Sequence, residues 1–401
     1  MRLARGTRSY CPYCYEEISQ QQTWFRCAGR ISRSGQRCAP ETDPVLRDRT
    51  GFGGALPPAF AGGRQDTAHC PACRGETNIR ICPVCHSRLP VHFGKVGSRL
   101  IVPVGAKEAG KTVFMTVLVH ELMHQTGQRF NAAITGADDY TRQRFASEYE
   151  RPLYHDAKLL PPTTAAGTHN RAPLVFRFTT ESHRPLNGRL GRTALSGPQR
   201  TLLSFFDTAG EDLRSQESIE QNVRYLGASD GIVLLLDPLQ MRGARNLAAP
   251  GTRLPTPGFP DDEPTTVLEN VTDLLLASEG KKPNKRISKP LAIVFTKMDA
   301  LMHDLKETSP LLRSPAQEGY FDERDSLEVH TEIQRLLARW EGTRIDQIAQ
   351  LNYRRFRYFG VSALGETPTQ DNRVAARGIR PWRVASPILW ILAQFGIIQV
   401  K

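Results

Sequence analysis

The chain has 401 residues, enough for one large or two ordinary domains with a sizeable core. Hydrophobic residues make up 39% and charged residues 23%, which suits a soluble globular protein with long polar loops, and no apolar run approaches the roughly 18 residues of a membrane span. The formal net charge is +12, so the surface can meet polyphosphate, nucleic acid or an acidic partner, and charge alone does not choose among them.

The N-terminal stretch from Met1 to Tyr10 is basic and runs into Cys11 without an apolar core, so no signal peptide is expected. All eight cysteines lie before residue 86. That crowding, in paired Cys-x-x-Cys form, favours metal over disulfide and a reducing, cytoplasmic setting. Cys70-Pro-Ala-Cys73 and Cys82-Pro-Val-Cys85 are two knuckles eight residues apart, able to bring four thiolates around one Zn2+. Cys11-Pro-Tyr-Cys14 adds a third knuckle, and Cys27 and Cys38 complete a second set whose grouping the spacing leaves open. About two structural Zn2+ ions follow, with a redox pair as the alternative; His69 and His86 stand beside the ligands. Eight zinc-bound thiolates and two Zn2+ would lower the net charge to +8. Arg26, Arg30, Arg33 and Arg37 leave nucleic acid open as a partner, but no aromatic stacking series accompanies them, and protein docking is favoured. Residues 1–95 are therefore expected to form a small cysteine-rich zinc-ribbon module, with a flexible Gly/Pro-rich loop over 50–65.

From about residue 96 to 401 strands alternate with helices. Ser98–Val104 reads as a strand and Lys111–Gln128 as a helix, followed by a charged helical insert around Asp138–Lys158. Pro173–Thr180 and Thr201–Phe206 read as strands, and Gly231–Leu236 and Leu291–Phe295 as buried parallel strands. Thr265–Ser278, Leu327–Trp340 and Pro387–Ile398 have helical spacing, and Tyr358–Ser362 closes the series as a strand. The expected fold class is α/β, a three-layer sandwich of P-loop type around a mostly parallel sheet, with insertions near 130–165 and 242–264.

Gly105-Ala106-Lys107-Glu108-Ala109-Gly110-Lys111-Thr112 fits the phosphate loop G-x-x-x-x-G-K-[ST]. Its backbone N–H groups and the following helix N-terminus suit a phosphate, Lys111 reaches the β- and γ-phosphates, and the Thr112 hydroxyl suits Mg2+. Asp207-Thr-Ala-Gly210 follows a strand, where Asp207 holds the magnesium through water and the Gly210 amide senses a γ-phosphate. Thr296-Lys297-Met-Asp299 and Ser362-Ala363-Leu364 close two further strands.

These four motifs resemble the first, third, fourth and fifth signatures of the translation-factor and Ras-like class of P-loop GTPases, over about residues 98–400. The resemblance implies GTP and GDP as ligands with Mg2+, Lys297 packed along the base, Asp299 reading guanine, and the Ser362–Ala363 turn at its O6. It also implies a switch threonine before the second strand, for which Thr163 and Thr164 are the favoured candidates and Thr168 a further one. Glu211 stands where fast members often carry Gln, and Lys107 where compact members carry Gly, so hydrolysis is expected to be slow without a partner. A GTP-binding scaffold that hydrolyses little is the alternative. The knuckles, with Cys82-Pro-Val-Cys-His86-Ser-Arg-Leu-Pro90 and Leu160-Pro-Pro-Thr163, resemble the zinc-knuckle GTPase of bacterial double-GTPase conflict systems, which implies a second GTPase as protein partner.

One competing motif remains. His120-Glu-Leu-Met-His124 matches H-E-x-x-H, which on a helix can hold zinc and use its Glu as base, as in metallopeptidases. No third ligand follows at a familiar spacing, and the motif falls on the helix after the phosphate loop, which the fold normally packs away from an open cleft.

Overall fold

The computed structural model describes residues 9–18, 24–33, 35–63, 66–90, 93, 99–106, 108–161, 173–181, 198–205, 223–255, 263–279, 285–316, 318–369 and 371–401. A seven-stranded sheet organises most of them. Its strands are β1 (Leu100–Gly105), β2 (Ala132–Gly136), β3 (Leu174–Glu181), β4 (Pro198–Phe205), β5 (Gly231–Leu236), β6 (Leu291–Phe295) and β7 (Phe356–Gly360). Their order across the sheet is β2-β3-β4-β1-β5-β6-β7. The five strands from β4 to β7 in that order are parallel, whereas β3 and β2 add on antiparallel.

Every residue of β1, β5 and β6 is buried, which is why these strands read as continuous apolar runs. Alternate residues serve opposite faces. Val102, Ile232, Leu234 and Ile293 pack under α3 (Pro264–Glu279), α4 (Glu323–Arg339) and α5 (Thr343–Asn352), whose Leu268, Ile333 and Ile345 complete that core. Ile101, Val233, Leu235 and Val294 face α1 (Lys111–Met123), a π-helix over Phe145–His155 and α6 (Ser386–Gln394). The result is the expected α/β three-layer sandwich. Its C-terminal apolar segment, Ile388 to Leu392, is core. Among the described residues no helix is long and apolar enough to cross a membrane.

Two elements differ from the pattern reading. The helix expected to reach Gln128 ends at Met123, and a short helix, Gln125–Arg129, follows at a new angle. Gly127 permits this, because a Cβ there would stand 2.3 Å from the Leu122 carbonyl oxygen. The turn sends Ala132–Gly136 back as edge strand β2, whose five residues are too short and small a run to announce a strand and which pairs with β3. The charged insert does become helical, as α2 (Asp139–Arg144) continuing into the π-helix.

In the cysteine region, Cys11, Cys70 and Cys82 each begin the same hairpin. The cysteine carbonyl accepts from the N–H four residues on, and Tyr15, Arg74 and His86 at that position have positive φ. Part of the Gly/Pro-rich run is sheet: Ala55–Leu56 pairs with Glu41–Thr42, and Ala59–Ala61 with Trp24–Arg26. The first knuckle rests on the large sheet, where Tyr13 and Cys11 share an apolar cluster with Val175 of β3 and Leu202 of β4.

A candidate nucleotide edge and two four-cysteine clusters

Chain direction across the sheet reverses at β1, with β4 on one side and β5 on the other, and ligands of open α/β sheets bind outside the carboxyl ends at such a point. The register sets those ends side by side. Gly105 lies opposite Leu235, Leu236 opposite Phe295, and Phe295 opposite Gly360. Gly105 ends β1, and Ala106, Glu108, Ala109, Gly110, Lys111 and Thr112 follow it; Thr296, Lys297 and Asp299 follow the end of β6, and Ser362, Ala363 and Leu364 that of β7.

Gly110 is the N-cap of α1 at φ +77°, with no side-chain cap. Open space surrounds the position of its missing Cβ, so backbone conformation rather than crowding calls for glycine. Thr296, buried at the end of β6, donates its hydroxyl to the Ala109 carbonyl at 2.9 Å and also approaches that of Leu236 at 3.3 Å. One strand end is thereby tied to the phosphate loop.

Lys297 follows in a left-handed conformation and directs Nζ to the Asp237 carboxylate at 2.7 Å. Asp237 is almost fully buried, and its other oxygen accepts from the Leu239 amide at 2.9 Å. Asp237 was not among the residues expected from sequence; its position directly after the Gly231–Leu236 apolar run, before Pro238, is the signal that marks it.

Asp299 accepts the Ser362 hydroxyl at 2.6 Å, and Ser362 Oγ in turn accepts the Gly365 amide at 2.8 Å. Backbone bonds between Ser362 and Trp382 in both directions hold the turn. Burial pushes the Asp299 carboxyl above its ordinary value, against the Ser362 hydrogen bond and the nearby Lys297, which favour the anion. The edge thus presents a backbone loop suited to phosphate and, two strands further, a carboxylate held in place by a serine. Lys107, Thr163, Thr164, Thr168, Asp207, Gly210 and Glu211 lie outside the described residues.

The cysteines group differently from the neighbouring-knuckle expectation. Cys11 and Cys14 join Cys82 and Cys85, while Cys27 and Cys38 join Cys70 and Cys73. Cys70–Cys73 and Cys82–Cys85 therefore do not share one ion. The strands between them decide this, because Trp24–Arg26 pairs with Arg80–Ile81 and crosses the two sets. Zn–S bonds of about 2.3 Å at tetrahedral angles put sulfurs about 3.8 Å apart. The Cys11–Cys85, Cys14–Cys82, Cys27–Cys73 and Cys38–Cys70 separations are 3.8, 3.7, 3.6 and 3.7 Å. The Tyr13, Gly29 and Val84 amides donate to the Cys11, Cys27 and Cys82 sulfurs at 3.4 Å, which favours the thiolate form. Both sets fit Zn2+. His86 is outside them, held by Asp43 at 2.9 Å, and Asp43 also binds Arg26 at 2.7 Å.

The first cluster touches both flanks of the segment that carries Asp207–Glu211. Ser204, fully buried in β4, donates to the Pro12 carbonyl at 3.0 Å and meets the Tyr15 hydroxyl at 3.1 Å. Beyond the segment, the Tyr225 ring packs 4.8 Å from that of Tyr15, and Arg224 pairs with Glu16 at 3.0 Å.

No protein-family model matches the chain. It is similar over nearly its whole length to a protein of Mycolicibacterium smegmatis, strain ATCC 700084 / mc(2)155, that carries the name "Putative ESX-1 scaffolding and assembly protein SaeC". The two are 29% identical, over 97% of this chain and 100% of that protein. Solved structures similar to it include GTPases. The Arl6 BBS3 small GTPase of Trypanosoma brucei, with bound GppNp, is 12% identical over 74% of this chain and 96% of that one, with a TM-score of 0.29. The signal recognition particle receptor SRb-GTP/SRX complex of Chaetomium thermophilum is 13% identical over 69% and 95%, with a TM-score of 0.29. The GTPase-like domain of S. cerevisiae Ski7, bound to GDP and inorganic phosphate, is 12% identical over 76% and 51%, with a TM-score of 0.31.

Proposed function

We propose that this protein is a guanine-nucleotide switch whose state is read by a protein partner. One observation carries the reading: the ends of β1, β6 and β7 join a phosphate-type loop, through Thr296, to a serine-held Asp299. An ionised Asp299 accepts from guanine N1–H and the exocyclic amine, whereas adenine offers neither donor there. Sites built around such pairs reject analogues that lack them by about 10⁴-fold or more. Lys111 and Thr112 serve the phosphates and Mg2+, with Asp207 as the second magnesium residue; the ion would neutralise phosphate charge. In this reading Thr163 or Thr164, with Gly210, respond to the γ-phosphate.

Residues 1–95 act as the zinc-held module and 96–401 as the nucleotide domain. The module's contacts with Ser204, Arg224 and Tyr225 support its acting as the element through which nucleotide state reaches a partner. The name of the M. smegmatis relative supports a role in scaffolding or assembly, in which the partner is a component being assembled. The resemblance to double-GTPase systems is compatible with this, the partner then being a second GTPase.

Hydrolysis is slow without that partner, because an ionised Glu211 cannot donate to the γ-phosphate and is repelled by it. Phosphate release by the wild type and Glu211→Gln tests this, and the variant should be no slower. For the base, titration with labelled GTP, ATP and XTP is decisive. Wild type should bind GTP far more tightly than ATP, and Asp299→Asn should weaken GTP and favour XTP. Equal affinity of the wild type for ATP and GTP would refute the guanine assignment.

A further inference from the structure

Outside the nucleotide edge and the cysteine sets, one cluster of metal-ligating side chains remains among the described residues. His120 and His124 stand four residues apart, the spacing that stacks side chains on one helical face. The missing third group comes from a different element: Glu150, in the π-helix, sends Oε1 to within 2.9 Å of His120 Nδ1. One donor atom from each of the three side chains lies within 4.8 Å of the others. We propose that His120, His124 and Glu150 form a third metal site, separate from the cysteine sets, that takes a borderline divalent transition ion such as Zn2+ or Co2+.

Geometry and chemistry support this occupant. Donors on a tetrahedral ion with bonds of about 2.0–2.1 Å stand about 3.3 Å apart, so a small opening of the His120–Glu150 contact admits one. The His120 and His124 rings lie 4.3 Å apart, and Tyr154 stacks on His120 at 3.8 Å and 20°, which holds that ring in place. Two imidazoles and one carboxylate match Zn2+, Co2+ or Ni2+, whereas Mg2+ and Ca2+ prefer all-oxygen sets. Three protein donors leave a fourth position open, and His124 is exposed to solvent. The ion is therefore exchangeable, unlike one enclosed by four thiolates. Bound there, it braces the end of α1 against the π-helix. By the 1.5 Å rise of a helix, the two histidines lie roughly 13 and 20 Å from Lys111, so this site is separate from any ion on the nucleotide.

The test uses full-length protein with its cysteine sets filled by Zn2+ and free metal removed. Co2+ is then titrated in, followed by absorption and by melting temperature. Wild type should take up one further equivalent, with visible d–d bands, no sulfur-to-cobalt charge transfer, and a raised melting temperature. His124→Ala, at an exposed position, should fold normally, retain both zinc ions and weaken Co2+ binding at least tenfold; Glu150→Gln should also weaken it at least tenfold. A wild type that binds no extra Co2+, that shows thiolate charge transfer, or whose uptake matches that of His124→Ala would overturn the proposal. In that case the His120–Glu150 contact is only a hydrogen bond.

Discussion

Replacing Ser204 with alanine should loosen the first cysteine cluster and weaken nucleotide binding together. Ser204 is fully buried, and its hydroxyl serves two groups of the knuckle, the Pro12 carbonyl at 3.0 Å and the Tyr15 hydroxyl at 3.1 Å. A neutral hydrogen bond contributes about 0.5–1.5 kcal/mol net, so losing both costs about 1–3 kcal/mol. The Arg224–Glu16 pair survives, but its side chains are 46% and 38% exposed, and such a pair contributes about 1 kcal/mol at most. The coupling that runs through Ser204 cannot exceed the energy of its two contacts. It is therefore bounded at about 3 kcal/mol, or about 150-fold in affinity. Linkage makes the effect reciprocal: the factor by which zinc tightens GTP is the factor by which GTP tightens zinc. The assay is Zn2+ release to a chelator with and without GTP, beside GTP titrations of zinc-loaded and zinc-depleted protein. In the wild type GTP should slow release from one of two zinc sites, and in Ser204→Ala that protection should shrink. If the variant loses stability while zinc release keeps its full GTP dependence, the knuckle is only a structural support and the coupling argument fails.

Changing both Cys70 and Cys82 to Ser should remove both zinc ions, because the two belong to different sets; elemental analysis showing one ion retained would contradict the crossed grouping. Burial raises the Asp299 pKa above its ordinary value, so GTP affinity should fall as pH drops through that raised pKa. The sign for stability is opposite: a carboxyl protonated more readily in the folded chain makes the nucleotide-free protein more stable as pH falls through that pKa, and Asp299→Asn should flatten both trends in paired titration and unfolding series. His330 stacks on Tyr358, accepts its amide at Nδ1, and is pushed down to about 4, chiefly by burial and then by Arg357. Since the unfolded chain takes up this proton near 6.5, stability should decline between about pH 6.5 and 4, and His330→Gln should lose part of that decline in urea unfolding at the two ends of the window.

The residues that speak plainly in the sequence are those whose chemistry is local. Gly231–Leu236 and Leu291–Phe295 are strands at the expected bounds, because strands buried on both faces need uninterrupted apolar residues. Gly105–Thr112, Thr296–Asp299 and Ser362–Leu364 are legible for a related reason: each follows a strand whose end is marked by its own composition. Other features depend on partners far along the chain. Ala132–Gly136 is too short and small a run to announce the strand that pairs with β3, and Asp237 matters only because Lys297 reaches it. The H-E-x-x-H run could not disclose Glu150, which another helix delivers.

The cysteines divide the two kinds of information most clearly. Their number and knuckle spacing announce thiolate metal sites, since the turn that aims two sulfurs at one ion is built within four residues. Which knuckles share an ion is not a local property. Either grouping satisfies four-coordinate zinc, and the antiparallel pairing of Trp24–Arg26 with Arg80–Ile81 sends Cys27 and Cys82 to opposite ends, so that they belong to different sets. Sequence alone determined the chemistry of each half-site. The tertiary structure decided their pairing and the docking of the first cluster on β4, because both depend on contacts between residues more than thirty positions apart.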